Sequence, residues 1–457
     1  LKSTLEKITQ KIYFEYLFIS ISILKLLYTP LVTADVFIWI ASGLKIFDKP
    51  TLLFHENYSI HSNLEFLYPA HFSNLLYAIV FNLGGPLLVF FFLRFVGILF
   101  VFYIYQKYMS RVAHHSFNLI MGIFFVVGSF YMLDRPAYLA FIPASLFIEE
   151  LFQKRSKFNN FLYFYFILLI WTNIHSSSLV ALILLGVRII FSLNVKNLIR
   201  LIGAFLGILS TPIGYKIFPY AMQTMEKSSI RFVGEWDGIF GYKDGYCTLL
   251  YLVFILVLIF QLIKKNQLLN YIKSGLFIFP LLCLSSARHI ILFSISLFAT
   301  FHHFDLWINK KNITNSFFKN GIVMLSILFL SLFLVIDNYN RNNFFDQELA
   351  LDLVEHLKDK TNLRVFNDSD GGVISAHLAK NNIKIFFDNR NIVFTDEIYS
   401  DFYKMKHSQS VDLIISKYNL NAIIVSNKNL LLLKEMSKKE KWKKEFVGVS
   451  LTLFLLK

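Results

Sequence analysis

Cysteine is nearly absent from the chain: Cys247 and Cys283 are the only two among 457 residues. Neither has CxxC or metal-type spacing, which excludes a disulfide framework and a zinc-ribbon site, and both read as small buried hydrophobes. Charge is scarce too. Only 16% of residues are charged, against about 25% in an ordinary soluble domain. Acidic residues are the scarcer sign, 30 against 45 basic, for a formal net charge of +15. That excess is spread over short loops and forms no basic-aromatic patch, so it gives no support to nucleic-acid binding. Internal repeats and a GxGxxG fingerprint are lacking. The nearest approach to a calcium loop, NDSDGG at 367–372, has Ala379 where the twelfth-position ligand would stand counting from Asp368. It reads as a tight strand-to-helix turn using Gly371 and Gly372.

Apolar side chains are what the sequence has. They make up 56% of it, with a mean hydropathy of +0.54, and apolar runs of about 20 residues recur between residues 12 and 337. These runs predict a multi-pass α-helical membrane protein. The first, at about 12–34, is too long for a cleavable signal and is expected to stay as a membrane helix. Basic clusters at Lys2, Lys7 and Lys11, Lys107 and Arg111, Lys154, Arg155 and Lys157, Lys196 and Arg200, Lys264 and Lys265, and Lys310, Lys311 and Lys319 mark cytoplasmic loops by the positive-inside rule. Helices at about 12–34, 86–106, 116–133, 136–152, 158–173, 178–194, 197–214, 247–263, 272–287, 289–306 and 319–337 alternate with them. This gives about 11 spans, with the N-terminus inside and the C-terminus outside. Residues 66–83 break the alternation if counted as a span and are expected to form an interfacial helix.

The predicted organisation is a polytopic domain, 1–337, with an outer loop at 35–85, followed by a small extracytoplasmic α/β domain, 338–457. In that last part QELALDLVEHLKDK and VDLIISKYN have helical spacing, while LRVFND, IKIFFDN, NAIIVS and VSLTLFLL have strand character.

Five chain segments bring polar groups to the predicted outer face: Asp35; Asp134 and Arg135 in MLDRPAYL; Asn173 and His175 in WTNIHSSSL; Glu235 and Trp236 in FVGEWDGIF; and Arg288 and His289 in SSARHIIL. Ionisable groups near hydrocarbon cost about 3 kcal/mol or more, which makes them functional candidates. Each has a structural alternative. Asp35 could cap the helix running from Val36 to about Ile46. Asp134 and Arg135 could form a local ion pair, Asn173 and His175 could be interhelical hydrogen bonders, and Arg288 and His289 could pin a hairpin.

This arrangement resembles the C-type (GT-C) glycosyltransferases, membrane enzymes that take a sugar from a polyprenyl phosphate. The matching features are Asp35 after the first span; Pro69 and a helix ending in NLGG, with Arg94 about ten residues on; and a soluble domain after the last span. DRP, WTNIH, TPIG, EW, ARH and VFNDSDGGVISAHL with KIFFDNR resemble the pattern of a largely uncharacterised bacterial branch. Two features depart from the family. Asp35 is flanked by Ala34 and Val36 rather than by a second acid, and YPAHFS keeps His71 without a glutamate.

The resemblance implies inverting sugar transfer at the outer face of the bacterial plasma membrane. Asp35 would be the general base. Arg288, with His289, Arg135 and Arg94, would hold the donor phosphate. Asn173, His175, Glu235, Trp236 and His71 would bind substrate. Expected partners are the lipid-linked sugar, a glycan, lipid or protein acceptor and membrane lipid. No cofactor is implied, and the role of a divalent metal stays open. A catalytically silent scaffold on the same fold and a transporter of lipid-linked substrates are the alternative readings. The donor sugar and the acceptor are not legible.

Overall fold

The computed structural model describes residues 34–48, 59–61, 70–104, 139–153, 156–230, 245–285, 289–304, 353, 356–357, 359–368, 383–387, 394–448 and 451–457. In chain order the elements are α1 Ala34–Asp48, α2 His71–Ile104, α3 Phe141–Glu150, α4 Lys157–Ile174, a 3₁₀ turn at Ser176–Ser178, α5 Leu179–Phe191, α6 Val195–Leu209, α7 Ile217–Ile230, α8 Gly245–Lys264, α9 Leu268–Ser274, α10 Ile278–Ser285 and α11 Ile290–His303. They continue with β1 Arg364–Asn367, β2 Lys384–Ile385, α12 Asp396–Lys406, α13 Val411–Tyr418, β3 Ala422–Ser426, α14 Leu430–Ser437, β4 Trp442–Val447 and β5 Leu451–Leu456. Two compact units result. A helical unit takes Leu1–Pro30 and Phe90–Asn338, and a mixed unit takes Leu31–Val89 and Tyr339–Lys457.

The expected set of about eleven membrane-crossing helices is overturned. Among the described residues no single helix is long and apolar enough to cross a membrane. The physical reason is that the apolar runs are cut short. Those at 178–194 and 197–214 form α5, of 13 residues, and α6, of 15. At 1.5 Å per residue these are about 20 and 22 Å long, short of the roughly 30 Å of hydrocarbon. The run at 272–287 is broken at Gly275, which ends α9 with φ +82°. α8 has 20 residues, of which Ile255–Lys264 form its described apolar stretch. Residues Val195–Leu209 and Gly214–Thr224 reach sufficient length only as a pair bent by 96°. The runs at 12–34, 116–133 and 319–337 lie outside the described residues, apart from Ala34.

Within the helical unit α4 and α6 make the closest packing. A β-carbon added at Gly203 would lie 2.5 Å from the carbonyl oxygen of Phe161, and one at Gly207 would lie 2.2 Å from that of Tyr165. The i, i+4 spacing of these glycines opens a groove that receives the α4 backbone directly. Ser156 caps α4 by accepting a hydrogen bond from the Asn159 N–H, and Asn194 caps α6 by accepting one from the Asn197 N–H.

The mixed unit holds a five-stranded sheet in the order β2-β1-β3-β5-β4. β1 pairs in parallel with β2 and β3, and β5 pairs antiparallel with β3 and β4. The central strand β3 reads as a continuous apolar run because Ala422, Ile423, Ile424 and Val425 are all buried, as expected of a strand covered on both faces. The segment between α1 and α2 extends the sheet past β2. Ser59 bridges Ile385 in parallel, Ile60 N–H donates to the Ile385 carbonyl at 2.8 Å, and the His61 ring packs edge-on against Phe386, Phe394 and Tyr418. This contact covers a two-residue edge strand that would otherwise present unpaired backbone.

Candidate functional site

In the mixed unit α1 and α2 meet at Gly43. A β-carbon there would lie 2.1 Å from the Asn74 carbonyl oxygen and 2.8 Å from the Ala78 β-carbon. Beside this contact α2 carries two buried polar side chains one turn apart, His71 at 5% exposure and Asn74 at 0%. Neither ring nitrogen of His71 and neither amide atom of Asn74 has a hydrogen-bond partner among the described residues. Burial alone pulls the His71 pKa down to about 4, so the imidazole is neutral at pH 7. An unmet buried amide or imidazole costs about 1–3 kcal/mol, a penalty that a ligand with hydroxyl groups would relieve.

Asp35 is the second residue of α1. It therefore lies in the first turn of that helix as described. A carboxylate in that turn is favoured by the helix dipole. Further along α2, Gly84 and Gly85 interrupt the helix with non-helical backbone, and Gly85 has φ +65° and ψ −161°, a conformation reserved for glycine. This break is the NLGG ending read from the sequence, and the chain resumes as helix toward Arg94.

In the helical unit the WTNIHSSS segment forms a stapled corner between α4 and α5. His175 has extended backbone, and its Nδ1 accepts from the Ser177 N–H at 3.1 Å, which leaves the proton on Nε2. The Trp171 indole N–H donates to Ser177 Oγ at 3.1 Å, Thr172 Oγ1 donates to Ser178 Oγ at 2.8 Å, and the Asn173 amide donates to the Leu169 carbonyl at 2.8 Å. Asn173 and His175 thus hold the corner, with Asn173 Oδ1 and His175 Nε2 as their other polar atoms. His289 occupies the residue before α11, and its Nδ1 lies 3.1 Å from the Leu282 carbonyl. That bond ties α11 back to α10, the hairpin-pinning role weighed from sequence. Arg94 is buried on α2 at 2% exposure.

Asp35 and His71 fall in the mixed unit, whereas Arg94, Asn173, His175 and His289 fall in the helical unit. Arg135, Glu235, Trp236 and Arg288, with Asp134, lie outside the described residues. No group of three or more His, Cys, Asp or Glu side chains comes together as a metal site among the described residues. Sequence reasoning missed Asn74. The available signal was an amide one helical turn after His71 in an otherwise apolar stretch, HFSNLLYAIV. No family model matches the chain, and no curated protein sequence is similar to it.

Proposed function

We propose that the protein transfers a sugar from a polyprenyl-phosphate donor to an acceptor hydroxyl, with inversion, at the outer face of a bacterial plasma membrane. The observation that carries this reading is the buried pair His71 and Asn74, without hydrogen-bond partners among the described residues, on the helix that packs against the one bearing Asp35. In the reaction the acceptor oxygen attacks the anomeric carbon as Asp35 takes its proton. The bond from that carbon to the phosphate oxygen breaks, and the electron pair leaves with the lipid phosphate. His71, neutral at working pH, and Asn74 can each donate to and accept from hydroxyl groups, as orientation of a sugar or acceptor requires. The donor-phosphate role belongs to Arg288, with His289, Arg135 and Arg94, on the strength of the sequence resemblance. Large apolar side chains exposed on the helical unit, among them Phe158, Ile190, Leu193 and Leu256, support work on a lipid-borne donor.

The test is release of polyprenyl phosphate and sugar transfer by the purified full chain over a panel of polyprenyl-phosphate sugars, compared with Asp35→Asn. Transfer that depends on Asp35 supports the reading. Absence of transfer over the whole panel favours the silent scaffold.

A further inference from the structure

Four basic residues, of which the sequence marks only Lys196 and Arg200, as loop charges, converge on one pocket of the helical unit, with a volume of about 340 Å³. They are Arg188 near the end of α5, Lys196 and Arg200 on α6, and Lys273 on α9. The other lining residues are neutral, so no aspartate or glutamate lines the pocket among the described residues. Two of the cations are fixed in the wall. Arg200, 1% exposed, donates from Nε to Asn160 Oδ1 at 3.1 Å, from Nη1 to the Leu151 carbonyl at 3.0 Å, and from Nη2 to the carbonyls of Glu150 and Gln153 at 3.0 and 2.9 Å. Lys196 Nζ donates to the Gln153 carbonyl at 2.7 Å.

Arg188 is different. Its guanidinium lies over the Phe152 ring at 5.4 Å, and its Nη1 is buried with no hydrogen-bond partner among the described residues. Burial and the charge of Arg200 together pull its pKa down to about 10. Of the nearby carboxylates, Glu149 faces His303 at 3.3 Å, while Glu150, buried behind the wall, acts by its charge on Arg200 and does not line the pocket. Glu150 offsets part of the charge of Arg200, but Arg188 feels that like charge and no acid, so an anion beside it is stabilised. α6, a helix of 15 residues, also begins at this wall with Asn194 as its cap, which adds the positive end of its dipole.

We propose that this pocket holds a phosphoryl group carrying at least two negative charges, contacted by Arg188 and Lys273 against the wall of Arg200 and Lys196. A phosphoryl group suits the set because a planar fork and an ammonium point charge can grip different oxygens of one tetrahedron. The site is separate from the sugar-transfer reading and does not rest on it. The pocket lies at the Lys157 end of α4 and the His175 corner at the other, about 25 Å away along the helix.

The phosphoryl group could be free in solution or part of a lipid headgroup, and two probes separate these sources. Pyrophosphate is titrated calorimetrically into the full chain at low salt, and flotation is measured with phosphatidylcholine vesicles with and without phosphatidic acid. Saturable pyrophosphate binding that weakens about tenfold in Arg188→Gln and about threefold in Lys273→Gln supports the site with a soluble ligand. Flotation that needs phosphatidic acid and is lost in the same variants, without pyrophosphate binding, supports the site with a lipid headgroup. Because Arg188 is largely buried, Lys273→Glu on the exposed rim decides the matter if Arg188→Gln does not fold. The proposal falls if neither probe binds, or if both bind the folded variants as well as the unaltered chain.

Discussion

Two regions treat buried polar groups in opposite ways. At the start of α4, Arg200 donates four hydrogen bonds, three of them to carbonyls at and just after the end of α3. Its charge sits where the C-terminal dipole of α3 favours it. At the start of α2, His71 and Asn74 are also buried, and none of their four side-chain polar atoms has a partner among the described residues. A met polar group is architecture, because its desolvation is offset by the bonds that it makes. An unmet one weakens the fold and is worth keeping where something else meets it. The contrast separates a residue that builds the helical unit from a pair whose hydrogen-bonding capacity is unspent among the described residues.

The sharpest way to break this contrast is at Asp35. Asp35→Asn should lower sugar transfer by about 10² to 10⁴, the contribution of a positioned base, while thermal stability stays near that of the unaltered chain. If Asn is silent in transfer and Ala alone lowers stability by about 1 kcal/mol, Asp35 serves as a cap and not as a base.

Arg200→Met should destabilise the chain by about 3 kcal/mol or more, since several buried carbonyls lose a charged donor at once. Thermal or denaturant unfolding checks this, and a loss below about 1 kcal/mol would mean that those carbonyls find other donors.

His71 gives a pH test of similar size but opposite character. Its pKa is 6.5 when exposed and about 4 in the fold, so between those values the unfolded chain binds the proton and the folded chain does not. The stability due to its neutral state is therefore complete above the higher value and is lost as pH falls through the window. The slope is about 1.4 kcal/mol per pH unit, about 3 kcal/mol in all. His71→Leu should remove that part of the acid slope, leave stability at pH 7 unchanged or slightly higher, and still reduce transfer about tenfold. A variant that keeps the slope would show that another group produces it.

The smallest effect is expected in a met cluster of the mixed unit. Asp401 accepts from Lys417 at 2.6 Å and from the Tyr418 hydroxyl at 2.9 Å. Burial pushes its carboxyl up, but these hydrogen bonds outweigh it and leave the pKa below the ordinary value. The stabilisation is thus present above about pH 4 and lost as pH falls below it. Asp401→Asn should cost about 1 kcal/mol at pH 7, because Lys417 is partly exposed to screening water, and should leave transfer unchanged. A larger loss would place Asp401 with Arg200 as an anchor of its unit.

Some of these features were legible and some were not, for identifiable reasons. LRVFND, IKIFFDN, NAIIVS and VSLTLFLL contain β1, β2, β3 and β5, because short apolar runs of β-branched and aromatic residues between turn residues have few other conformations. β4, WKKEFV, escaped notice because its lysines and glutamate mask the strand pattern, and only Trp442 in it is buried. Asp35, His71, Asn173 and His175 stood out as polar residues in apolar surroundings. Their roles did not, since hydrogen bonding decides them. His175 spends Nδ1 on the Ser177 backbone, whereas His71 spends neither nitrogen.

The apolar composition, the α/β character of the C-terminal segment and the polar residues to inspect were fixed by the order of side chains alone, because helix and strand periodicities are local. The course of each helix was decided only in three dimensions, where breaks at Gly84 and Gly85 and at Gly275 interrupt apolar runs and, among the described residues, no single helix is long and apolar enough to cross a membrane. The partnerships of Arg188, Arg200, His71 and Asn74 were decided there too. A side chain's electrostatic and hydrogen-bonding environment is set by elements far away in sequence: Arg200 is bound to residues 40 to 50 positions before it.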